Sequence, residues 1–158
     1  MNKIIIPLKH YNIRPVQTPV DLIVLHYISA INLDKDKWED LGLILGIFGQ
    51  YSLSAHYLIE RDGRIIEMVS PAYRAWHAGV SRFKDKPNCN DYSIGIELVG
   101  GDFIKFESEQ YNSLNVLIDN LKGSYPVQDI IGHEDISIPK GRKKDPGSMF
   151  DWTKVVTK

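Results

Sequence analysis

The sequence is poor in cysteine, since Cys89 is the only one among 158 residues. An internal disulfide is therefore impossible, and so is a structural zinc site built from several thiolates. Because disulfides are typical of oxidising compartments, we expect a chain without them to be cytoplasmic. Any bound metal ion would need histidine or carboxylate ligands.

Long apolar runs are absent as well. No stretch approaches the roughly 18 apolar residues that a membrane-spanning helix needs. The apolar run at residues 4–6 is too short for the core of a signal peptide. The net charge is −1, from 19 basic and 20 acidic residues, so a broad phosphate-neutralising surface is missing. These features exclude nucleic acid and membranes as expected partners.

Repeats, low-complexity tracts and linkers rich in Pro, Gly or Ser are also missing. The length is that of one domain, which buries roughly 70% of the surface of its unfolded chain. We therefore expect residues 1–158 to form a single domain, and we expect a monomer.

Strands are predicted in four regions. Residues 20–28 are apolar on both faces, as in a strand of a sheet that is covered on both sides. A turn at residues 61–63 separates two apolar segments and predicts a β-hairpin. The two hairpin strands are placed at residues 55–60 and 64–69, and single strands at residues 92–98 and 127–131.

Helices are predicted in three regions. Residues 108–122 carry apolar side chains at helical spacing, with Ser108 ahead of an acidic first turn and Gly123 after the last apolar position. A short or irregular helix is predicted at residues 38–48 and another near residues 151–156. The order of elements predicts an α/β fold with a mixed central β-sheet flanked by helices on both faces.

Two histidines lie where predicted strands end, and one aspartate lies in the loop that follows the second strand. His26 follows the apolar residues 22–25, and His133 follows the apolar residues 127–131. Asp145 comes next, in a polar loop. Such residues could form the protein half of a catalytic zinc site, which uses three protein ligands and leaves the fourth tetrahedral position for water.

Each of these residues also has a structural interpretation. Histidines are often hydrogen-bonded structural residues, and Asp145 before a Pro-Gly pair can start a turn. Lys143 can be a solvated charge in a basic loop. A zinc peptidase of the His-Glu-x-x-His type is not indicated, because His133-Glu134 is followed by no second histidine.

Three segments, in order along the chain, resemble one family. Residues 74–81 (RAWHAGVS), 89–98 (CNDYSIGIEL) and 141–147 (GRKKDPG) are similar to the AmpD-type N-acetylmuramoyl-L-alanine amidases. These belong to a zinc amidase superfamily that includes phage lysozyme-amidases and peptidoglycan-recognition proteins. The similarity spans residues 20–152, and several motifs in the expected order are far more specific than one short pattern.

The resemblance implies a peptidoglycan-recognition-protein/amidase-like fold and one zinc ion as cofactor. It also implies hydrolysis of the amide that joins the lactyl group of N-acetylmuramic acid to L-alanine. By position, it assigns zinc binding to His26, His133 and Asp145. It matches Glu97 to the catalytic acidic residue and Lys143 to the lysine that stabilises the transition state.

The resemblance also indicates how substrate is held. Trp76 and His77 match the segment that helps to line the sugar-peptide cleft. Tyr27 stands directly after the first zinc histidine, where relatives often carry Asn, and the loop between His133 and Asp145 looks slightly longer than usual. Both departures affect how the sugar is held, and neither removes a ligand.

The amide is a poor electrophile with a poor leaving group, so the reaction needs several aids. Glu97 can accept the proton of the attacking water and later protonate the departing amine. Lys143 can offer a positive charge to the developing oxyanion. We expect the substrate to be a soluble 1,6-anhydro-muropeptide of peptidoglycan recycling. A lytic amidase for polymeric peptidoglycan and a non-catalytic muropeptide-binding protein remain as alternatives.

Overall fold

The computed structural model describes residues 2–156. Its strands are β1 (Ile4–Ile5), β2 (Tyr11–Ile13), β3 (Leu22–Ile28), β4 (Tyr57–Ile59), β5 (Ile65–Glu67), β6 (Tyr73–Ala75), β7 (Arg82–Phe83), β8 (Lys86–Pro87), β9 (Ser93–Val99) and β10 (Asp129–Gly132). Its α-helices are α1 (Leu41–Gln50), α2 (Ser108–Ser124) and α3 (His133–Ile136). Single 3-10 turns lie at Cys89–Asp91 and Trp152–Lys154.

The central sheet has six strands in the order β1-β5-β4-β9-β3-β10. The pair β4 and β5 is antiparallel and forms the predicted hairpin, whereas the other neighbouring pairs are parallel. The mixed sheet confirms the predicted fold class. Two small antiparallel pairs, β2 with β6 and β7 with β8, lie outside this sheet.

Strand β9 shows how the sheet separates its two faces. Successive side chains of a strand point to opposite faces, so Ile94, Ile96 and Leu98 share one face. They pack in one buried cluster with the apolar stripe of α2, which consists of Tyr111, Leu114, Leu117, Ile118 and Leu121. Fully burying such a side chain stabilises the fold by about 1.5–3 kcal/mol. The alternate positions, Ser93, Gly95 and Glu97, therefore belong to the other face.

Helix α1 covers part of that other face. Its buried residues Ile44 and Phe48 pack against Leu58 of β4 and Ile66 of β5. Helices thus lie on both faces of the sheet, as predicted. Among residues 2–156, no helix combines the length and the apolar composition needed to cross a bilayer.

Several predicted boundaries need correction. Helix α1 begins at Leu41 and not at residue 38, because the Asp40 side chain accepts a hydrogen bond from the backbone of Leu43 and caps the helix. Helix α2 is capped by Glu107 and continues past Gly123 to Ser124. The strand predicted at residues 127–131 is shifted to Asp129–Gly132, and the C-terminal helix is only a 3-10 turn.

The region after His133 also differs from the prediction. It was expected to be a polar loop, but its first three residues form α3 together with His133 itself. The side chain of Asp135 accepts a hydrogen bond from the backbone N–H of Gly132 (2.9 Å), which stabilises the start of this short helix.

Candidate active site

The candidate site lies at the carboxyl ends of the parallel strands β3, β9 and β10, where α/β sheets commonly bind ligands. His26 is near the end of β3, and Glu97 is its register partner on β9. Because directly opposed residues of neighbouring strands share a face, both side chains lie on the same side of the sheet. His133 follows β10 immediately and opens α3.

Three side chains converge at this edge. His26 Nδ1 is 3.0 Å from His133 Nδ1 and 2.9 Å from Asp145 Oδ2, and His133 Nδ1 is 3.0 Å from the same oxygen. All three residues are buried. Among residues 2–156, this is the one group of three or more histidine, cysteine or carboxylate side chains whose ligand atoms lie close enough to share a metal ion.

Asp145 reaches this cluster because its loop folds back onto the end of β10. Its carbonyl oxygen accepts a hydrogen bond from the backbone N–H of Glu134 (3.0 Å). Gly132 permits this close approach, since a Cβ atom there would lie 2.7 Å from the Pro146 ring. A side chain at residue 132 would therefore push the loop, and with it the carboxylate, away from the histidines.

The ring orientation of His133 exposes an electron pair to the cluster. Its Nε2 lies 3.1 Å from the carbonyl oxygen of Ala78, which can only accept a hydrogen bond. Nε2 therefore carries the proton of the neutral ring, and Nδ1 presents its lone pair toward Asp145. Electron-pair donors that converge at about 3 Å suit a bound cation.

The protonation states agree with such a site. Burial lowers the pKa of His26 to about 4, despite the opposing effect of the nearby Asp145 carboxylate. Burial alone would raise the pKa of Asp145, but the imidazole rings of His133 and His26 beside its carboxylate outweigh this effect and hold that pKa far below the usual range. Neutral imidazole and ionised carboxylate are the forms that bind metal ions.

Glu97 lies beside this cluster without belonging to it. It is only 8% exposed, and its Oε2 has no hydrogen-bond partner among residues 2–156. Burial raises the pKa of Glu97 well above the usual value, the charge of Asp145 raises it further, and Lys143 opposes both effects. Glu97 thus presents a free carboxyl oxygen next to the candidate metal position.

A cleft of about 380 Å³ opens over these side chains. Its lining includes all eight site residues predicted from the sequence, namely His26, Tyr27, Trp76, His77, Glu97, His133, Lys143 and Asp145. A larger hollow of about 500 Å³ lies between β1 and α2, but no histidine or carboxylate lines it. The chemistry of the side chains therefore favours the smaller cleft.

Trp76 and Tyr27 are held at the wall of this cleft. Trp76 is 37% exposed, and its Nε1 donates a hydrogen bond to Asn12 Oδ1 (2.9 Å). Burial, reinforced by a hydrogen bond to Asp102, raises the pKa of Tyr27 to about 12. Both aromatic rings can therefore contact a ligand while their polar atoms stay bound to the protein.

Both ring nitrogens of His77 are engaged by other side chains. The ring is 7% exposed, and both of its nitrogens already lie within hydrogen-bond distance of protein atoms. Nδ1 is 3.0 Å from His26 Nε2, and Nε2 is 3.2 Å from Ser93 Oγ. His77 borders the cleft, but neither nitrogen remains to bind substrate.

Sequence reasoning missed the polar residues beneath the cleft. Asn90 Oδ1 accepts hydrogen bonds from the backbone N–H groups of His77 (3.1 Å) and Ala78 (2.8 Å). Arg14 is buried and donates to the carbonyl oxygens of Pro71, Asn90, Asp91 and Ser93. The alternation of Ser93, Gly95 and Glu97 with apolar residues was a usable signal for a polar face on β9. Arg14 had no comparable signal.

The fold and the site define a class of amidases. The Amidase_2 family, N-acetylmuramoyl-L-alanine amidase, matches residues 16–148, and the chain belongs to this family. Membership confirms the resemblance and the enzyme class predicted from the sequence.

Individual relatives are similar over nearly the whole chain. The 1,6-anhydro-N-acetylmuramyl-L-alanine amidase AmpD of Haemophilus influenzae is 41% identical over 166 residues, covering 94% of this chain and 87% of the relative. The crystal structure of a selenomethionine derivative of AmpD has a TM-score of 0.81 at 37% identity, covering 96% of this chain and 91% of that one. The structure of AmpDh3 from Pseudomonas aeruginosa in complex with an anhydromuramic pentapeptide has a TM-score of 0.72 at 32% identity, covering 89% and 60%.

Proposed function

We propose that this protein is a zinc-dependent amidase of cytoplasmic peptidoglycan recycling. It hydrolyses the amide between the lactyl group of 1,6-anhydro-N-acetylmuramic acid and the L-alanine of the stem peptide. The observation that carries the proposal is the convergence of His26, His133 and Asp145 beside a carboxyl oxygen of Glu97 that has no hydrogen-bond partner among residues 2–156. Residues 1–158 act as a single amidase domain and as a monomer.

The donor set fits zinc. His26 Nδ1, His133 Nδ1 and Asp145 Oδ2 would hold one ion, and two nitrogens with one carboxylate oxygen are ligands that zinc accepts in catalytic sites. The chemistry that zinc supplies when bound is the activation of a water molecule, whose pKa falls to about 7.

The protein side chains would transfer protons and stabilise the developing negative charge. Glu97 accepts the proton of the attacking water and delivers a proton to the departing amine of L-alanine. Lys143, which lines the same cleft, offers its ammonium group to the carbonyl oxygen as negative charge develops there. Trp76 and Tyr27 contact the sugar and the adjoining peptide.

The anhydro form of the substrate is supported by the relatives. AmpD of H. influenzae is named as a 1,6-anhydro-N-acetylmuramyl-L-alanine amidase, and the similar AmpDh3 structure holds an anhydromuramic pentapeptide. A cleft of about 380 Å³ is of a size that takes a small ligand.

The test compares three substrates under identical conditions. Release of the stem peptide is measured from 1,6-anhydro-muropeptide, from the same muropeptide with a reducing end, and from intact sacculi. We expect the highest kcat/KM for the anhydro substrate. Equal or faster release from sacculi would indicate a lytic amidase, and binding without any release would indicate a muropeptide-binding protein.

A further inference from the structure

A line of buried hydrogen bonds joins the floor of the cleft to one of the candidate metal ligands. Ser93 Oγ is 2.6 Å from the carbonyl oxygen of Cys89 and 3.2 Å from His77 Nε2. On the other side of the ring, His77 Nδ1 is 3.0 Å from His26 Nε2. The line ends at His26 Nδ1, which faces Asp145 at 2.9 Å.

The direction of every hydrogen bond in this line follows from the first acceptor, the carbonyl oxygen of Cys89. The Cys89 carbonyl can only accept, so the Ser93 hydroxyl donates its single proton there. Ser93 Oγ must then accept from His77 Nε2–H, which leaves His77 Nδ1 as an acceptor. His77 Nδ1 in turn accepts from His26 Nε2–H, and the neutral His26 ring presents an unprotonated Nδ1 to the cluster.

The same short segment orients the second histidine. The carbonyl oxygen of Ala78, the residue after His77, accepts from His133 Nε2–H. Consecutive residues thus fix the ring protons of both histidines on the sides that face away from the metal position. The backbone N–H groups of His77 and Ala78 both donate to Asn90 Oδ1, and these two hydrogen bonds hold the segment in place.

The packing leaves the His77 ring little freedom. It lies directly against β9, and a Cβ atom added at Gly95 would be only 2.4 Å from His77 Cγ. The ring therefore occupies the space that a side chain at residue 95 would take.

From these contacts we infer that His77 and Ser93 are positioning residues, which select the tautomer of His26 that can bind the metal. This inference rests on the proposed function, since it assumes that the cluster binds zinc. In the other tautomer an N–H group would face the metal position, and zinc would have to displace that proton. Removing an outer partner of a metal-binding histidine typically weakens metal affinity about 10–100-fold.

Zinc affinity, measured by competition with a chelator, is the first test. The variant His77→Leu removes the acceptor and should bind zinc about 10–100-fold more weakly. The variant His77→Asn can place its amide oxygen near the position of Nδ1, so it should restore most of the lost affinity. For the serine, Ser93→Ala should weaken binding, whereas Ser81→Ala, which removes an equally buried hydroxyl that does not contact His77, should not.

The second test needs no metal. Nitrogen-15 NMR of the metal-free wild-type protein should show the proton of His26 and that of His77 on Nε2, and Ser93→Ala should mix these tautomers. An Nδ1–H tautomer of His26 in the wild type, unchanged affinity in His77→Leu, or no rescue by His77→Asn would each overturn the inference. Failure of the wild type to bind zinc would instead overturn the proposed function.

Discussion

Replacing Glu97 by glutamine tests the separation between metal binding and proton transfer. The change keeps the shape of the side chain but removes its ability to accept a proton. Glu97 is buried on the site face of β9, outside the three-residue cluster, and its Oε2 is not used by any other group among residues 2–156. We therefore expect Glu97→Gln to keep the fold and the bound metal while losing most of the turnover.

The size of the effect follows from its chemical role. A positioned general acid–base group contributes roughly 10²–10⁴-fold to the rate. At about 1.36 kcal/mol for each factor of ten, this corresponds to about 2.7–5.4 kcal/mol in the activation free energy. The assay is kcat for the release of the stem peptide from anhydro-muropeptide, together with the zinc content of the same preparation.

Glu60 provides a matched control. It is also buried, and its Oε2 also lacks a hydrogen-bond partner among the described residues, but it does not line the cleft. We expect Glu60→Gln to leave kcat unchanged. Loss of zinc from Glu97→Gln would show that Glu97 is a ligand, and an unchanged kcat in Glu97→Gln would refute its role in proton transfer.

Three further predictions concern the ligands, the lysine and the core. His133→Ala should abolish zinc binding and turnover but retain a native circular dichroism spectrum; full zinc occupancy would contradict the proposed ligand set. Lys143→Ala should lower kcat by about 10²–10³-fold with the metal retained, as for the loss of an oxyanion donor. The control Lys140→Ala, at an exposed position of the same loop, should leave kcat unchanged. Equal kcat values for the two variants would exclude Lys143 from catalysis. Leu114→Ala, at a fully buried position of α2, should lower the free energy of unfolding by about 2–5 kcal/mol in a denaturant titration. A loss below about 1 kcal/mol would contradict the packing of α2 against the sheet.

Hydrophobic periodicity predicted the parts of the fold that bury the most apolar surface. The stripe on α2 and the apolar runs of β3 and β9 are long enough to distinguish helix from strand. Helix ends were less predictable because they depend on single side chains, such as Asp40 at the start of α1. Strands of two or three residues, including β1 and β2, carry too few residues for a pattern to appear.

The residues of the site could be predicted from sequence motifs, but contacts that depend on the three-dimensional structure could not. All eight predicted residues line one cleft, because β3, β9, the loop after β10 and the segment after β6 meet at one end of the sheet. The sequence did not show that both ring nitrogens of His77 are occupied. This depends on contacts with His26 of β3 and Ser93 of β9, which are distant from His77 along the chain. The sequence also gave no indication that Arg14, far away along the chain, would bind the carbonyl oxygen of Ser93.

Metal removal and reconstitution test the central claim most directly. The purified protein should contain one zinc ion per chain, and chelation should abolish release of L-alanyl peptide from anhydro-muropeptide. Adding back one equivalent of zinc should restore the activity. Full activity in protein shown to contain no divalent metal would contradict the account, because Glu97 and Lys143 would then have to act without an activated water.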